Sequence, residues 1–193
     1  MTRFKLTMAG AALGTVLCGL VSGLTAAPAL ADERTCRGTL RAVSVDGGVR
    51  VPAGATCVLR GTVVKGDVKV ARGATLVARG VRVDGNVQAE GAKSVSVLAG
   101  SSIDGDVQVK QGGAATVTGS RVDGDIQLDA NRRYLRVNGN RVDGNIQVVG
   151  NRGGAQIHRN RVKGDLQCKE NRPRPTGSKN VVGGDKEDQC RRF

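Results

Sequence analysis

The chain has 193 residues, with 30 Lys and Arg against 17 Asp and Glu, a formal net charge of +13 and a pI near 10.3. Aromatic residues make up 2% of it and tryptophan is absent, which excludes a conventional core built around large rings. Charge of this sign and size directs the search for partners toward anions.

Residues 1–31 read as a secretory signal peptide. Arg3 and Lys5 give a basic start, an apolar run extends from about Leu6 to Leu24, and Ala29-Leu30-Ala31 is a small-x-small cleavage site before Asp32. Gly and Ala dilute the run, which argues against a retained membrane anchor. Leu17 is too bulky for lipid attachment at Cys18. The expected mature protein, residues 32–193, is a single secreted domain, extracellular or wall-associated, with no transmembrane segment left after cleavage. It retains Cys36, Cys57, Cys168 and Cys190, and an even number of cysteines in an oxidising compartment reads as two disulfides. No C-x-x-C occurs and the one histidine, His158, lacks a partner at zinc spacing, so no metal site is expected.

From Gly47 onward one octapeptide recurs, as "RVDGNVQA" at Arg82–Ala89, "RVDGDIQL" at Arg121–Leu128 and "RVDGNIQV" at Arg141–Val148. Its glycine falls at Gly47, Gly66, Gly85, Gly105, Gly124, Gly144, Gly164 and Gly184, a spacing of 19 or 20 residues throughout. Repetition at this period means a solenoid. The units are rich in Val, Gly, Asn and Asp, which disfavours helical repeats. Two residues before and two and four after the glycine, apolar side chains alternate with polar ones, so the octapeptide reads as one strand with one face buried. A second apolar column, Leu40, Leu59, Ala78, Leu98, Val117, Val137 and Ile157, lies seven residues before the glycine. Gly61, Gly80, Gly100, Gly119 and Gly139 lie five before it. Gly54, Gly73, Gly112, Asn131, Asn151 and Asn171 lie seven after it. Gly and Asn tolerate positive φ, so both sets read as corners. The fold class is therefore all-β, a parallel β-helix of about eight coils.

In such a coil each residue sits ~4.8 Å above its counterpart. Identical β-branched side chains then form a continuous interior without aromatics. Asn140, Asn160 and Asn180, and likewise Asn131, Asn151 and Asn171, are spaced to stack as amide ladders. Gln88, Gln108, Gln127, Gln147 and Gln167 are spaced for another. Cysteines one coil apart are within disulfide reach, whereas Cys36 and Cys168 would have to bridge about six coils. The expected bonds are Cys36–Cys57 and Cys168–Cys190, one pinning each end.

Over Cys36 to Cys190 the chain resembles right-handed parallel β-helix proteins, and right-handedness is what that resemblance implies. The ending "LQCKENRPRPTGSKNVVGGDKEDQC" resembles a group of secreted actinobacterial proteins, a likeness that brings no activity with it. Polysaccharide lyases and hydrolases on this fold carry long loops and sugar-stacking aromatics that this sequence lacks. The short valine-rich coils are also similar to those of filament-forming bactofilins, which have neither a cleaved export signal nor disulfides.

The columns flanking the motif glycine carry Asp46, Asp84, Asp104, Asp123 and Asp143 on one side and Asp67, Asp106, Asp125, Asp165 and Asp185 on the other. A flat, solvated carboxylate row supplies no pair of differently tuned acids, so no catalytic residue, cofactor or enzyme activity is expected. Calcium could be held between stacked carboxylates, but the Asp columns are better explained as offsetting Arg82, Arg121, Arg141 and Arg161, which stack beside them. Motif charges thus nearly cancel, and the positive excess falls on the remaining faces. Arg132, Arg133, Arg136, Arg152, Arg172 and Arg174 are the candidate anion-binding residues. Outside a cell their partner would be an anionic wall polymer or acidic polysaccharide. Nucleic acid is disfavoured by address and by the lack of stacking platforms. The expected function is a secreted structural or binding module. The rivals are a polymer-forming scaffold and a degenerate carbohydrate-active enzyme.

Overall fold

A computed structural model describes residues 33–193; the expected leader lies outside them. Among the described residues there is no helix, and every strand belongs to one of three parallel sheets. The first sheet has nine strands, from Arg34–Thr35 to Lys186–Asp188. The second has eight, from Gly38–Arg41 to Thr176–Ser178. The third has eight two-residue strands, from Ser44–Val45 to Val181–Val182. Each strand pairs in parallel with its counterpart one repeat away, as Ile126 with Ile146 and Val137 with Ile157. The chain visits the three sheets in turn and closes one three-sided coil per repeat.

The octapeptide is not one strand. Arg141–Val142 belongs to the third sheet and Ile146–Val149 to the first, with a bend at Asp143–Gly144 between them. Val142, Ile146 and Val148 are all buried, so the alternation runs unbroken through the bend and hides it from a period-two reading.

The bend explains the invariable glycine. Its requirement is space and not a left-handed φ. A Cβ on Gly144 would lie 2.2 Å from Asp125 Oδ1 and 2.8 Å from the Gly124 carbonyl oxygen. Asp125 Oδ1 is there because it accepts the backbone N–H of Asn145 in the next coil at 2.7 Å. The same bond recurs from Asp67 through Asn86, Asp106, Asp125, Asn145 and Asp165, each accepting the N–H of its successor. The column after the glycine therefore laces the coils together. It is not a free carboxylate row.

Inside, Val, Ile and Leu from all three sheets fill the interior, each contributing ~1.5–3 kcal/mol by burial. Both expected asparagine ladders are present and buried. Asn160 Oδ1 accepts the backbone N–H and the Nδ2 of Asn140, and Asn160 Nδ2 donates to the Val137 carbonyl at 2.7 Å. Asn131, Asn151 and Asn171 repeat the pattern, with Gln189 Oε1 accepting from Asn171 as the terminal rung. Both expected disulfides form, with Cα separations of 5.6 Å for Cys36–Cys57 and 5.2 Å for Cys168–Cys190.

Three other expectations change. The corner glycines five before the motif do take positive φ, and Ala42, Arg159 and Lys179 take it where glycine is missing. In the other corner Gly54 and Gly73 comply. From the third coil on, however, the left-handed residue is one earlier, at Gly91, Gln111, Ala130, Gly150 and Glu170. That shift leaves Gly112, Asn131, Asn151 and Asn171 buried, where the amides can stack. Leu98 is only half-buried. Val97 takes its place between Ala78 and Val117, because the extra residue of that coil enters just after the strand Ser94–Leu98. The stacked glutamines do not bond to one another: Gln108 Nε2 turns back to Asp106 Oδ2 at 3.2 Å, and Gln167 Nε2 reaches Glu187 at 2.8 Å.

The last coil closes the interior. Lys186 occupies the column that holds Leu166 in the coil before, and its Nζ donates to the Asn180 carbonyl at 3.0 Å and to the Phe193 carbonyl. The Phe193 ring covers Gly177, which replaces the Ile157 side chain of the preceding coil.

Replacing Gly144 by Ala should cost clearly more stability than replacing Gly139, where φ is +66° but nothing stands within 4 Å of the new Cβ. The second change carries only left-handed strain of about 1–2 kcal/mol. Removing the carboxylate as well, by Asp125→Ala in the Gly144→Ala background, should not restore stability, because the Gly124 carbonyl still obstructs. Urea denaturation of the four proteins measures this.

Candidate anion-binding site

Charges beside the motif are paired within and between coils. Arg82 reaches Asp84 at 3.0 Å and Asp104 at 2.8 Å, and Arg121 reaches Asp123 at 2.7 Å and Asp143 at 2.9 Å. Lys65 contacts Asp46 at 2.8 Å. Asp143 is the hub, receiving Lys163 at 2.9 Å and Arg141 at 3.9 Å besides Arg121. Arg161 is the exception among the expected four: it forms no ion pair among the described residues.

The hydrogen bond from Lys163 holds the Asp143 carboxyl below the usual carboxylate range. Burial opposes this as the next-largest effect, and the charges of Arg121, Lys163 and Arg141 add to the lowering. Asp46 is lowered in the same way by Lys65.

The six candidate arginines behave differently. All are exposed, and none has an ion-pair partner among the described residues. Arg132, Arg152 and Arg172 follow directly on Asn131, Asn151 and Asn171, so the buried amide ladder fixes the backbone of an external arginine column. Arg152 N donates to the Asn131 carbonyl at 2.9 Å and Arg172 N to the Asn151 carbonyl at 2.8 Å, one coil rise of ~4.8 Å per step. Arg133 is next to Arg132, with its backbone so close to Gly153 that a Cβ there would lie 2.1 Å from the Arg133 carbonyl carbon. Arg136 points outward from the strand Leu135–Asn138, its guanidinium 5.9 Å from the centre of the 47%-exposed Tyr134 ring. Arg174 stands off this column, beyond Pro173.

Corner length sets the local relief. Between the aligned positions Asn131/Gly112 and Leu135/Ala115, the later coil has three residues, Arg132, Arg133 and Tyr134, against Gly113 and Ala114 below them. The longer corner overhangs one whose leading residues, Gly112 and Gly113, carry no side chain. The resulting depression, about 290 Å³, is lined by Arg72, Lys93, Arg132 and Arg133 together with Gly91, Ala92, Gln111, Gly112 and Gly113, and by no acidic residue. Sequence reasoning missed Arg72 and Lys93, which lie in earlier coils. It also missed Arg41, Arg60 and Arg79, an in-register exposed column along the second sheet without acid partners among the described residues. A larger hollow of about 650 Å³ on the first sheet contains Glu33 and Glu90, and Glu33 already engages Arg50 and Lys69 there. The smaller depression is the better candidate for an anion site because its cations are uncompensated.

His158, on the second sheet, shares a hydrogen bond with Ser178 Oγ through Nδ1 at 2.9 Å. Among the described residues no three His, Cys, Asp or Glu side chains come together in a way that could hold a metal ion. No family model, curated protein or solved structure matches the chain.

A carboxylate whose folded pKa is depressed stabilises the fold above its unfolded pKa of about 3.9, and that contribution fades as pH falls through the folded value. Acid titration of stability should therefore show a loss beginning near pH 4 and continuing below it. Asp143→Asn should lower stability at neutral pH and shrink the acid-dependent loss. An unchanged acid profile in thermal melts from pH 2 to 7 would remove Asp143 from this role.

Proposed function

We propose that the mature chain is a secreted, disulfide-pinned β-solenoid acting as a structural or binding module of the cell envelope or extracellular space. It holds anionic polymer, a wall polymer or acidic polysaccharide, against its basic surface and is not an enzyme. The observation that carries this reading is the segregation of charge. Motif cations are largely satisfied by acids of their own and the next coil, while Arg132, Arg133, Arg136, Arg152, Arg172 and Arg174 stand exposed and unpaired. Two disulfides suit an oxidising address, and no described helix is long and apolar enough to cross a membrane.

The alternatives are less well supported. Acid/base chemistry needs available carboxylates, and here the Asp columns are engaged by backbone N–H groups and by arginines. Filament growth needs an open, apolar coil end, and Lys186 and the Phe193 ring occupy the C-terminal one. An inward charge of this kind is a known means of stopping edge-to-edge pairing. Electron microscopy should find single particles for the unaltered protein. Lys186→Val combined with Phe193→Ala should promote end-to-end association. Filaments of the unaltered protein would favour the scaffold reading.

Cosedimentation with purified wall polymer tests binding directly. It should be strong at 0.01 M salt and weak at 0.15 M, as the Debye length contracts from ~30 Å to ~8 Å. Exchange of Arg132, Arg133 and Arg136 for Gln should weaken it more than exchange of Arg82, Arg121 and Arg141, whose charges are already paired. Equal losses would reduce the attraction to net charge, and no binding at low salt would end the proposal.

A further inference from the structure

The geometry points to a discrete oxyanion seat in the depression beneath the Arg132–Arg133 corner, occupied by one acidic group of a linear polyanion whose next charges lie along Arg152 and Arg172. The inference rests on the anion-binding reading above and narrows it to a place and a repeat.

Lys93 and Arg132 stand two coils apart, each fixed by its backbone: Lys93 N donates to the Ala74 carbonyl at 2.8 Å, and Arg132 N to the Gly112 carbonyl at 2.9 Å. Two coil rises place these rims ~9.6 Å apart. The intervening coil contributes Gln111 at the edge and, directly between the rims, Gly112 and Gly113, which carry no side chain. Neither can be enlarged in place, because a Cβ on Gly113 would lie 2.2 Å from the Lys93 carbonyl oxygen and one on Gly112 would lie 2.8 Å from that of Ala92. Close backbone approach thus keeps the floor bare, and the bare floor leaves room between the rims for a bound group. Arg72 and Arg133 complete a lining of four cations without an acid. Four uncompensated cations around a single depression repel one another, and an oxyanion between them relieves that repulsion while accepting charge-assisted hydrogen bonds from both rims. The seat's own backbone donors are spent, since Gly112 N–H goes to Asn131 Oδ1 and Gly113 N–H to the Ala92 carbonyl. Recognition is therefore by side-chain charge and suits phosphate or carboxylate alike.

The ladder makes the ligand a polymer. Arg132, Arg152 and Arg172 recur at one coil rise, so an extended chain lying parallel to the solenoid axis, with an acidic group every ~4.8 Å or a multiple of it, meets one cation per step. Phosphate and carboxylate polymers both present such a series.

Binding of two probes, inorganic polyphosphate and polygalacturonate, at low salt tests the seat. Lys93→Gln/Arg132→Gln is compared with Arg41→Gln/Arg60→Gln, which removes the same charge from the second-sheet column. The first pair should bind about tenfold more weakly than the unaltered protein, the worth of one charged hydrogen bond, and the second pair should bind within a small factor of it. Selective loss on polyphosphate alone or polygalacturonate alone identifies the acidic group and supports the seat. Equal losses in both pairs overturn the seat and leave general polyanion binding standing. Failure of the unaltered protein to bind either probe overturns both. Circular dichroism of the variants, whose changes are all at exposed positions, checks that the coils are intact.

Discussion

The structure depends on how a backbone N–H is satisfied where a coil turns a corner. Along the three sheets, parallel pairing settles hydrogen bonding coil by coil. At corners the pairing lapses, and an unpaired buried N–H costs about 1–3 kcal/mol. Some corner N–H groups reach a backbone carbonyl of the next coil, as Gly61 N does that of Arg79, and at the motif bend and along the asparagine ladders the neighbouring coil supplies a side-chain oxygen. At the motif bend Asp125 accepts from Asn145 one coil later, whereas in the interior ladders Asn160 accepts from Asn140 one coil earlier. The two systems run in opposite directions, so each coil is held from both sides.

That requirement accounts for much of the composition. A carboxylate or amide oxygen reaching across the bend occupies the space of a Cβ, which forces glycine there and makes Asp-Gly-Asp or Asp-Gly-Asn the natural local sequence. Stacked arginines beside the bend then draw on the remaining column of Asp side chains. With corners bonded and coils stacked, the interior can be filled by Val, Ile, Leu and Ala alone. Large rings become unnecessary, and Tyr134, the one exposed aromatic among the described residues, is left on the surface beside Arg136.

Much of this was legible because identical positions repeat at 19 or 20 residues. The coil count, the buried columns, both asparagine ladders and both disulfides follow from that spacing. The bend at Asp143–Gly144 was not legible, since buried residues alternate straight through it. Leu98 was misplaced because spacing reveals that a coil is longer but not where the extra residue enters. The same blindness hid half of the candidate site. The Arg132–Arg152–Arg172 column can be read at intervals of twenty. The depression, in contrast, arises from a mismatch in corner length between adjacent coils, and its Arg72 and Lys93 have no basic counterpart one repeat away to mark them.

The overhang of the three-residue corner at Arg132–Tyr134 has a further consequence, for folding. Consecutive coils are so alike that the interior columns would tolerate a strand slipping by a whole repeat: Val87 meets Val107, and would meet an equally apolar Ile126 one coil further on. Such a slip would lay the long corner where a short one belongs, pressing Arg133 into the place against the Lys93 carbonyl where Gly113 has no room even for a Cβ. Irregularities in an otherwise uniform array thus act as a vernier, a set of marks that agree at one alignment and disagree at the rest. The departures from the repeat, more than the repeat itself, tell each coil which neighbour is its own.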